Sequence, residues 1–589
     1  MRKLVLSILS LCMIASLWGC GSEPKENPET IQKFNEFIEN DFIETMESDY
    51  TTMHVYLEHP EKFGIDPSKV EVSLGSRPDK ISEEEKAEFN ETVKAFESFE
   101  RDELSAELQE TYDICAYMID ISKASLDEKY DYYQNLFASM GGIHYQIPVL
   151  LSDFALRNEQ DVKDVIVLVQ DVKPYMDACL NYTRTQAEKG FMMIDFEEII
   201  SYCETLLENR SQSSVLACLY DSIDGLNLSD ASHYKQQLKE AFETSFFPAY
   251  EAVINVMNEL KTNYKNNEKG LCAFANGKDY YEIILKKNTG GSKSVDELKK
   301  MLNKAYDQAI ADMQKAVFKD YEAALAFIEG GTLPETDFDS YEKMLEANQK
   351  LMKTEFPTVS NLQYNIRDIS KDIASDSGIA AYFNIPPIDH SGKKELRVNP
   401  NGADLHSLST YQTVSHEGFP GHMYQYAYMY ENLDSNWRKA IADCNAYSEG
   451  YAVYAQYEAY DYLEGFNETI LEISKANEIA SYCIIMLSDI GIHYDGWDFD
   501  KFYQYLTSMG FSLPEEDAQT QYNQLWNNPA AFQSYYVGYL EIMDLKNEAM
   551  DKLGDNFDEM KFHEALLSSG SAPFKVVKDN VDEYVKANK

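Results

Sequence analysis

The sequence is short of basic residues: 52 Lys and Arg stand against 100 Asp and Glu, for a formal charge of -48. No basic run interrupts this background, and a surface of that sign repels a phosphate backbone, which excludes nucleic acid as a partner. The acidity itself reads as a solvated surface rather than as a functional tail. Cysteine is sparse too, with nine in 589 residues. Two of them, Cys12 and Cys20, lie in the N-terminal segment. The other seven (Cys115, Cys179, Cys203, Cys218, Cys272, Cys444 and Cys483) are odd in number and contain no C-x-x-C pair, which excludes a disulfide framework. They read as small buried apolar side chains. Seventeen prolines and 27 glycines leave long stretches unpunctuated. There is also no long hydrophobic run. The longest, Leu4–Leu17, is too short and wrongly flanked to span a bilayer.

That run is a targeting signal. Arg2 and Lys3 precede it, and it closes on Leu17-Trp18-Gly19-Cys20, which resembles a bacterial lipobox with a bulky Trp18. Cleavage before Cys20 would leave diacylglycerol on its thiol. Residues 1–19 are then a signal peptide and residues 20–30 a polar tether. Gly21 is not the aspartate that lipoprotein sorting associates with inner-membrane retention. The expectation is an exported bacterial lipoprotein, at the cell surface or the outer face of a membrane, held only by this lipid anchor. An ordinary secretory peptide is the alternative.

The rest of the chain is mainly α-helical by pattern. Ile31, Phe34, Ile38 and Phe42 recur every three to four residues, and the same period runs through Asp161–Tyr182 and Ala231–Leu260. Length alone allows three or four domains at roughly 150 residues each. A loop at Gly290-Gly-Ser-Lys-Ser, before a helix start at Val295, divides a helical half (31–290) from a second half (291–589). Within that second half, Asn361–Ile366, Ile379–Ile385 and Glu395–Asn399 predict three short strands, with loops at Pro386-Pro387 and Asp389–Gly392.

The chemistry follows directly after this small sheet. His416-Glu417-Gly418-Phe419-Pro420-Gly421-His422 brings two imidazoles and a carboxylate together. In the common zinc-protease helix the histidines are four apart on one face. Here they are six apart, about 120° off a shared face on a regular helix. Pro420 lacks an N–H and clashes with the carbonyl of His416, so the helix must widen or break there. Gly421 tolerates the backbone angles this requires. A zinc ion in a hydrolase takes three protein ligands and keeps one position open. The third candidate is Glu449, on a predicted helix in Cys444–Tyr454, where apolar neighbours make a carboxylate costly unless it is paired or coordinating. Taken singly, these residues also fit core histidines and a buried ion pair.

Together, His416-Glu-Gly-Phe-Pro-Gly-His422-Met-Tyr-Gln425 and Glu449-Gly-Tyr-Ala-Val-Tyr454 resemble a bacterial family known as domain of unknown function 885. Three further blocks carry the likeness: Gly270–Tyr281, with Ala275 for a usual proline; Asp489-Ile-Gly-Ile-His493-Tyr-Asp-Gly-Trp497; and Pro529 with Tyr535-Tyr-Val-Gly538. Phe562-His563-Glu-Ala-Leu-Leu adds a last one, so the resemblance runs from roughly residue 90 to 585. The family is similar to gluzincin peptidases such as the thimet oligopeptidase and carboxypeptidase Taq families. That implies a large multi-helix fold with a small β-sheet beside a deep central cleft. It also implies one zinc ion per chain and short peptides as substrates. This chain departs from the family at Tyr451, where tryptophan is usual, and at Tyr482, Ile485 and Gln524, near which arginines are common.

The mechanism this implies gives Glu417 the role of general base beside the metal. His493 and Tyr535, and third His563, are candidate donors to the tetrahedral oxyanion, because imidazole and phenol both donate to a developing charge. Packing or capping is the competing role for each. Two other functions fit the same residues: a lipoprotein that captures peptides or another solute without cutting them, and a metal-dependent amidase acting on cell-wall peptides. Glu417 speaks against the first, since capture needs no base beside the metal.

Overall fold

The computed structural model describes residues 26–330, 335–369, 380–400 and 404–589. The signal segment and Cys20 lie outside these residues. The fold is mainly α, with one three-stranded sheet. The first helix, Pro28–Ser48, starts inside the stretch read as tether, because the Asn27 side chain caps Glu29 N–H and Pro28 fits the first turn. Its buried face is Phe34, Ile38, Phe42 and Met46, the predicted stripe extended by one turn. The Glu159–Lys189 helix is opened by a reciprocal Asn158/Asp161 capping box and closed by Gly190 at φ 75°.

The stretch read as continuous from Ala231 to Leu260 is interrupted. Helices Ala231–Ala241 and Phe247–Asn263 are joined by a wide turn, in which Phe247 N–H reaches back to Phe242 O. Pro248 has no N–H to offer the carbonyl four residues earlier, so the ladder shifts register by one.

At the boundary between the halves, Gly290 (φ 63°) ends the Gly277–Thr289 helix, and Ser294 caps Val295–Lys319 in a box with Glu297. The hydrophobic core ignores this boundary: a continuous cluster runs from Phe34 to Val585. Polar ties cross it as well. Asp389, in the predicted loop, accepts from the backbone of Glu58 and His59 at 2.7 and 3.1 Å.

The three predicted strands are present, within two or three residues of their expected bounds: β1 (Tyr364–Asp368), β2 (Ala381–Asn384) and β3 (Lys394–Val398). Their order is β1-β3-β2, with β3 parallel to β1 and antiparallel to β2. β2 therefore lies at an edge. None of the seven described cysteines is in a disulfide, and five are buried. No described helix is long and apolar enough to cross a membrane.

Candidate metal centre

The helix does break at the predicted place. Leu408–Glu417 ends at Gly418, and a second helix, His422–Asn432, starts after Gly421. Gly421 N–H bonds back to Ser415 O at 3.0 Å. Its φ of -77° lies outside the left-handed region that by itself favours glycine, while its ψ of -137° is neither helical nor extended. The demand is steric: a Cβ on Gly421 would lie 1.8 Å from His416 O. Buried side chains staple the break. Asn348 Nδ2 donates to Ser415 Oγ at 2.9 Å and Phe419 O at 2.8 Å, and Tyr411 OH donates to Asn348 Oδ1 at 2.7 Å. Tyr451 OH donates to Pro420 O at 3.0 Å, which gives this departure from the family's tryptophan a role.

The break turns the two imidazoles toward one point, with ring centroids 4.8 Å apart and planes at 88°. His416, Glu417 and His422 each offer a ligand atom within 4.8 Å of the others. Glu449 comes from the Asn445–Glu458 helix, as predicted. Its Oε2 lies 3.4 Å from His416 Nε2 and 3.5 Å from His422 Nε2. That oxygen is buried and has no partner in hydrogen-bonding geometry.

The outer nitrogens fix the tautomers. His416 Nδ1 meets Gln456 Oε1 at 3.0 Å, and His422 Nδ1 meets Gln425 Oε1 at 3.2 Å. A carboxamide oxygen only accepts, so each Nδ1 carries the hydrogen. With Nδ1 engaged outward, each ring turns its Nε2 toward Glu449, the arrangement a metal ligand needs. Without a cation between them the groups polarise one another. Burial opposes charge on His422, but the Glu449 carboxylate outweighs it and raises the imidazole to about 9. Burial likewise opposes charge on Glu449, yet the two imidazoles hold it well below the carboxylate range. An anionic oxygen facing two imidazole Nε2 atoms fits a divalent cation.

Glu417 sits at the rim of this group. Its Oε1 is 3.9 Å from His416 Nε2, and its Oε2 accepts the Phe383 N–H of β2 at 2.8 Å. The four side chains keep 12–18% of their exposure, so water reaches them. Tyr535 is brought in by the Gln533–Leu553 helix, its ring 6.3 Å from that of His416 and nearly parallel to it. Close packing permits this approach: a Cβ on Gly450 would lie 2.3 Å from the backbone of Gly538. Burial, then the charges of Glu449 and Glu417, push the Tyr535 phenol up, so it stays a protonated donor.

Two sequence-predicted donors belong elsewhere. His493 is fully buried, accepting Leu271 N–H at Nδ1 (3.3 Å) and donating from Nε2 to Leu525 O (3.0 Å). Both nitrogens are used by backbone, so His493 clamps the short turn at Leu271–Ala273 to the Glu515–Asn527 helix and has none left for an oxyanion. His563 is also fully buried. Its Nδ1 donates to Glu355 O at 2.7 Å, and its Nε2 accepts from Tyr454 OH at 2.6 Å. Gln456 and Asn348 join the site without having stood out in the sequence, and Gln425 gains a role there. Gln456 had a signal: seven residues beyond Glu449, it shares that helix face.

The chain matches the family described as bacterial protein of unknown function (DUF885) over residues 63–581. No curated protein matches it. Among solved structures it is similar to a "putative lipoprotein" from Colwellia psychrerythraea: TM-score 0.80, 17% identity, covering 95% of this chain and 100% of that one. It is also similar to a "putative lipoprotein of unknown function" from Shewanella oneidensis: TM-score 0.63, 18% identity, covering 93% of this chain and 99% of that one. At these identities the likeness is one of fold.

Proposed function

The chain belongs to the bacterial family of unknown function DUF885, and we propose that this member is a metal-dependent hydrolase of peptide bonds. The observation that carries the proposal is the buried Glu449 Oε2, outside hydrogen-bonding geometry but facing two Nε2 atoms at 3.4 and 3.5 Å. His416 and His422 would hold the ion through Nε2 and Glu449 through Oε2, a donor set that suits zinc. Bound there, the ion would polarise the scissile carbonyl and acidify water.

The chain's own groups supply the rest. Glu417 is the general base: Phe383 N–H anchors its Oε2, leaving Oε1 to take a proton from water and return it to the leaving amine. Tyr535 donates its phenolic hydrogen to the developing oxyanion. β2 orients the substrate. Phe383 N–H points at Glu417 rather than at β3, so an extended peptide laid along this free edge passes the three metal ligands. A capture protein would need no such base, which favours hydrolysis over binding alone. Kinship with the gluzincin peptidases is part of the proposal, supported by a general base following the first ligand histidine and by a glutamate ligand from a later helix. Export as a lipid-anchored protein is also part of it, supported by Leu17–Cys20 and by the descriptions of the two similar structures.

Metal analysis of the purified chain, coupled to mass spectrometry of a peptide-library digest, tests the proposal. Near-stoichiometric zinc or another transition metal and cleaved peptides are expected. Glu417→Gln should keep the metal and lose turnover. Intact peptides with metal-replete protein would overturn it.

A further inference from the structure

A second group with metal-ligand spacing lies behind the metal helix. Glu458, Glu559 and His563 each offer a ligand atom within 4.8 Å of the others. Glu458 ends the Asn445–Glu458 helix, whereas Glu559 and His563 share one face of Glu559–Leu567. His563 has the tautomer of a ligand, because its Nδ1–H is spent on Glu355 O and its Nε2 lone pair faces the group. A nitrogen and two carboxylates are a donor set for zinc or a similar divalent ion.

The centre of this group is occupied by the chain itself. Lys546 Nζ, from the Gln533–Leu553 helix, lies 2.9 Å from Glu458 Oε2, 2.7 Å from Glu559 Oε1 and 2.8 Å from Tyr454 OH. Its three N–H bonds are thereby used, and Tyr454 passes its own hydrogen to His563 Nε2 at 2.6 Å. The side chain is 11% exposed, and the ammonium also lies 4.9 Å from the Tyr454 ring centroid. Burial opposes its charge, but Glu458 and Glu559 outweigh that and keep it protonated.

We infer that Lys546 is a built-in cation that does the work of a structural metal, closing a latent divalent-ion site formed by Glu458, Glu559 and His563. Through Tyr454 and Glu458 it pins the helix that presents Glu449 and Gln456, so it is a positioning residue for the metal centre. Removing the ammonium leaves two partly exposed carboxylates, Glu458 at 18% and Glu559 at 31%, facing one another without it, which is destabilising unless another cation enters.

The test is metal stoichiometry, read by native mass spectrometry and zinc titration, together with thermal unfolding; neither needs turnover. Wild-type protein should take one zinc and Lys546→Ala two, with its lowered Tm recovering as the second site fills. Lys546→Ala/His563→Ala should return to one zinc without that recovery. Lys546→Arg, which keeps the cation, should take one. A Lys546→Ala protein that folds yet takes only one zinc overturns the inference. So does one that stays unfolded at every zinc concentration. Should the first site bind no metal, Lys546→Ala would still gain one ion over wild type, which separates this inference from the hydrolase proposal.

Discussion

Gln456 Oε1 holds His416 Nδ1 at 3.0 Å from the helix that presents Glu449, two turns further along. In the proposed metal centre, one rigid element therefore supplies a ligand and orients another ligand's ring. This pairing couples metal affinity to a residue that never touches the ion. Gln456→Leu should lower zinc affinity by about 10- to 100-fold, the usual cost of losing an outer hydrogen bond to a ligating imidazole. Chelator competition measures it, and thermal unfolding of the metal-free protein should change little by comparison. Unchanged affinity would mean that His416 is oriented by packing alone.

The break between the two helices depends on the close approach of Gly421 to His416 O. A methyl group there would push the backbone apart and separate the imidazoles. Gly421→Ala should therefore cost at least about 1–3 kcal/mol, the usual range for overpacking, and lose zinc binding. Gly225→Ala is the control, because a Cβ there meets nothing within 4 Å. It should leave metal binding intact and stability nearly so.

Pro420 and Gly421 also mark what the sequence can disclose. Pro420 announced a break, and the break is there, because a missing N–H is a property of one residue. The reason for Gly421 was not legible, since the carbonyl it must clear is placed by folding. The same divide runs through the site. His416, His422, Glu417 and Glu449 fall in recognisable spacings, and the structure gathers them. The second helix and the small sheet were readable from period and turn residues. His493 and His563 looked equivalent to Tyr535 as donors, because a sequence does not say which nitrogens the backbone will claim. Leu271, Leu525 and Glu355 claim three of the four, and Tyr454 takes the last.

Buried neutral imidazoles give the fold an acid limit. Burial depresses His144 to about 3, and burial with the charge of Arg157 does the same to His54. In the unfolded chain both titrate near the ordinary value of about 6.5. Between those values the unfolded state binds more protons, so stability present above about pH 6.5 is lost as pH falls toward 3. Each imidazole contributes a slope of up to about 1.4 kcal/mol per pH unit in that window. Denaturant melts of metal-free protein from pH 7.5 to 4.5 should show this fall, and His144→Leu should flatten it. A slope unchanged by that substitution would assign the acid limit to other groups.

Tyr535 separates catalysis from architecture most directly. Its ring packs beside His416, and burial with the charges of Glu449 and Glu417 keeps its phenol protonated, as the proposed oxyanion donor must be. Phenylalanine preserves the ring and removes only that donor. Tyr535→Phe should lower kcat on a cleaved peptide by roughly 10²- to 10³-fold, the scale for losing one oxyanion donor. KM, zinc content and Tm should stay close to wild type, because the ring that packs beside His416 is kept. His493→Ala should do the reverse. Losing its bonds to Leu271 N–H and Leu525 O should lower Tm while the folded fraction turns over normally. Comparable kcat losses in both variants, with Tm unchanged in each, would return His493 to the reaction and refute its assignment as a clamp.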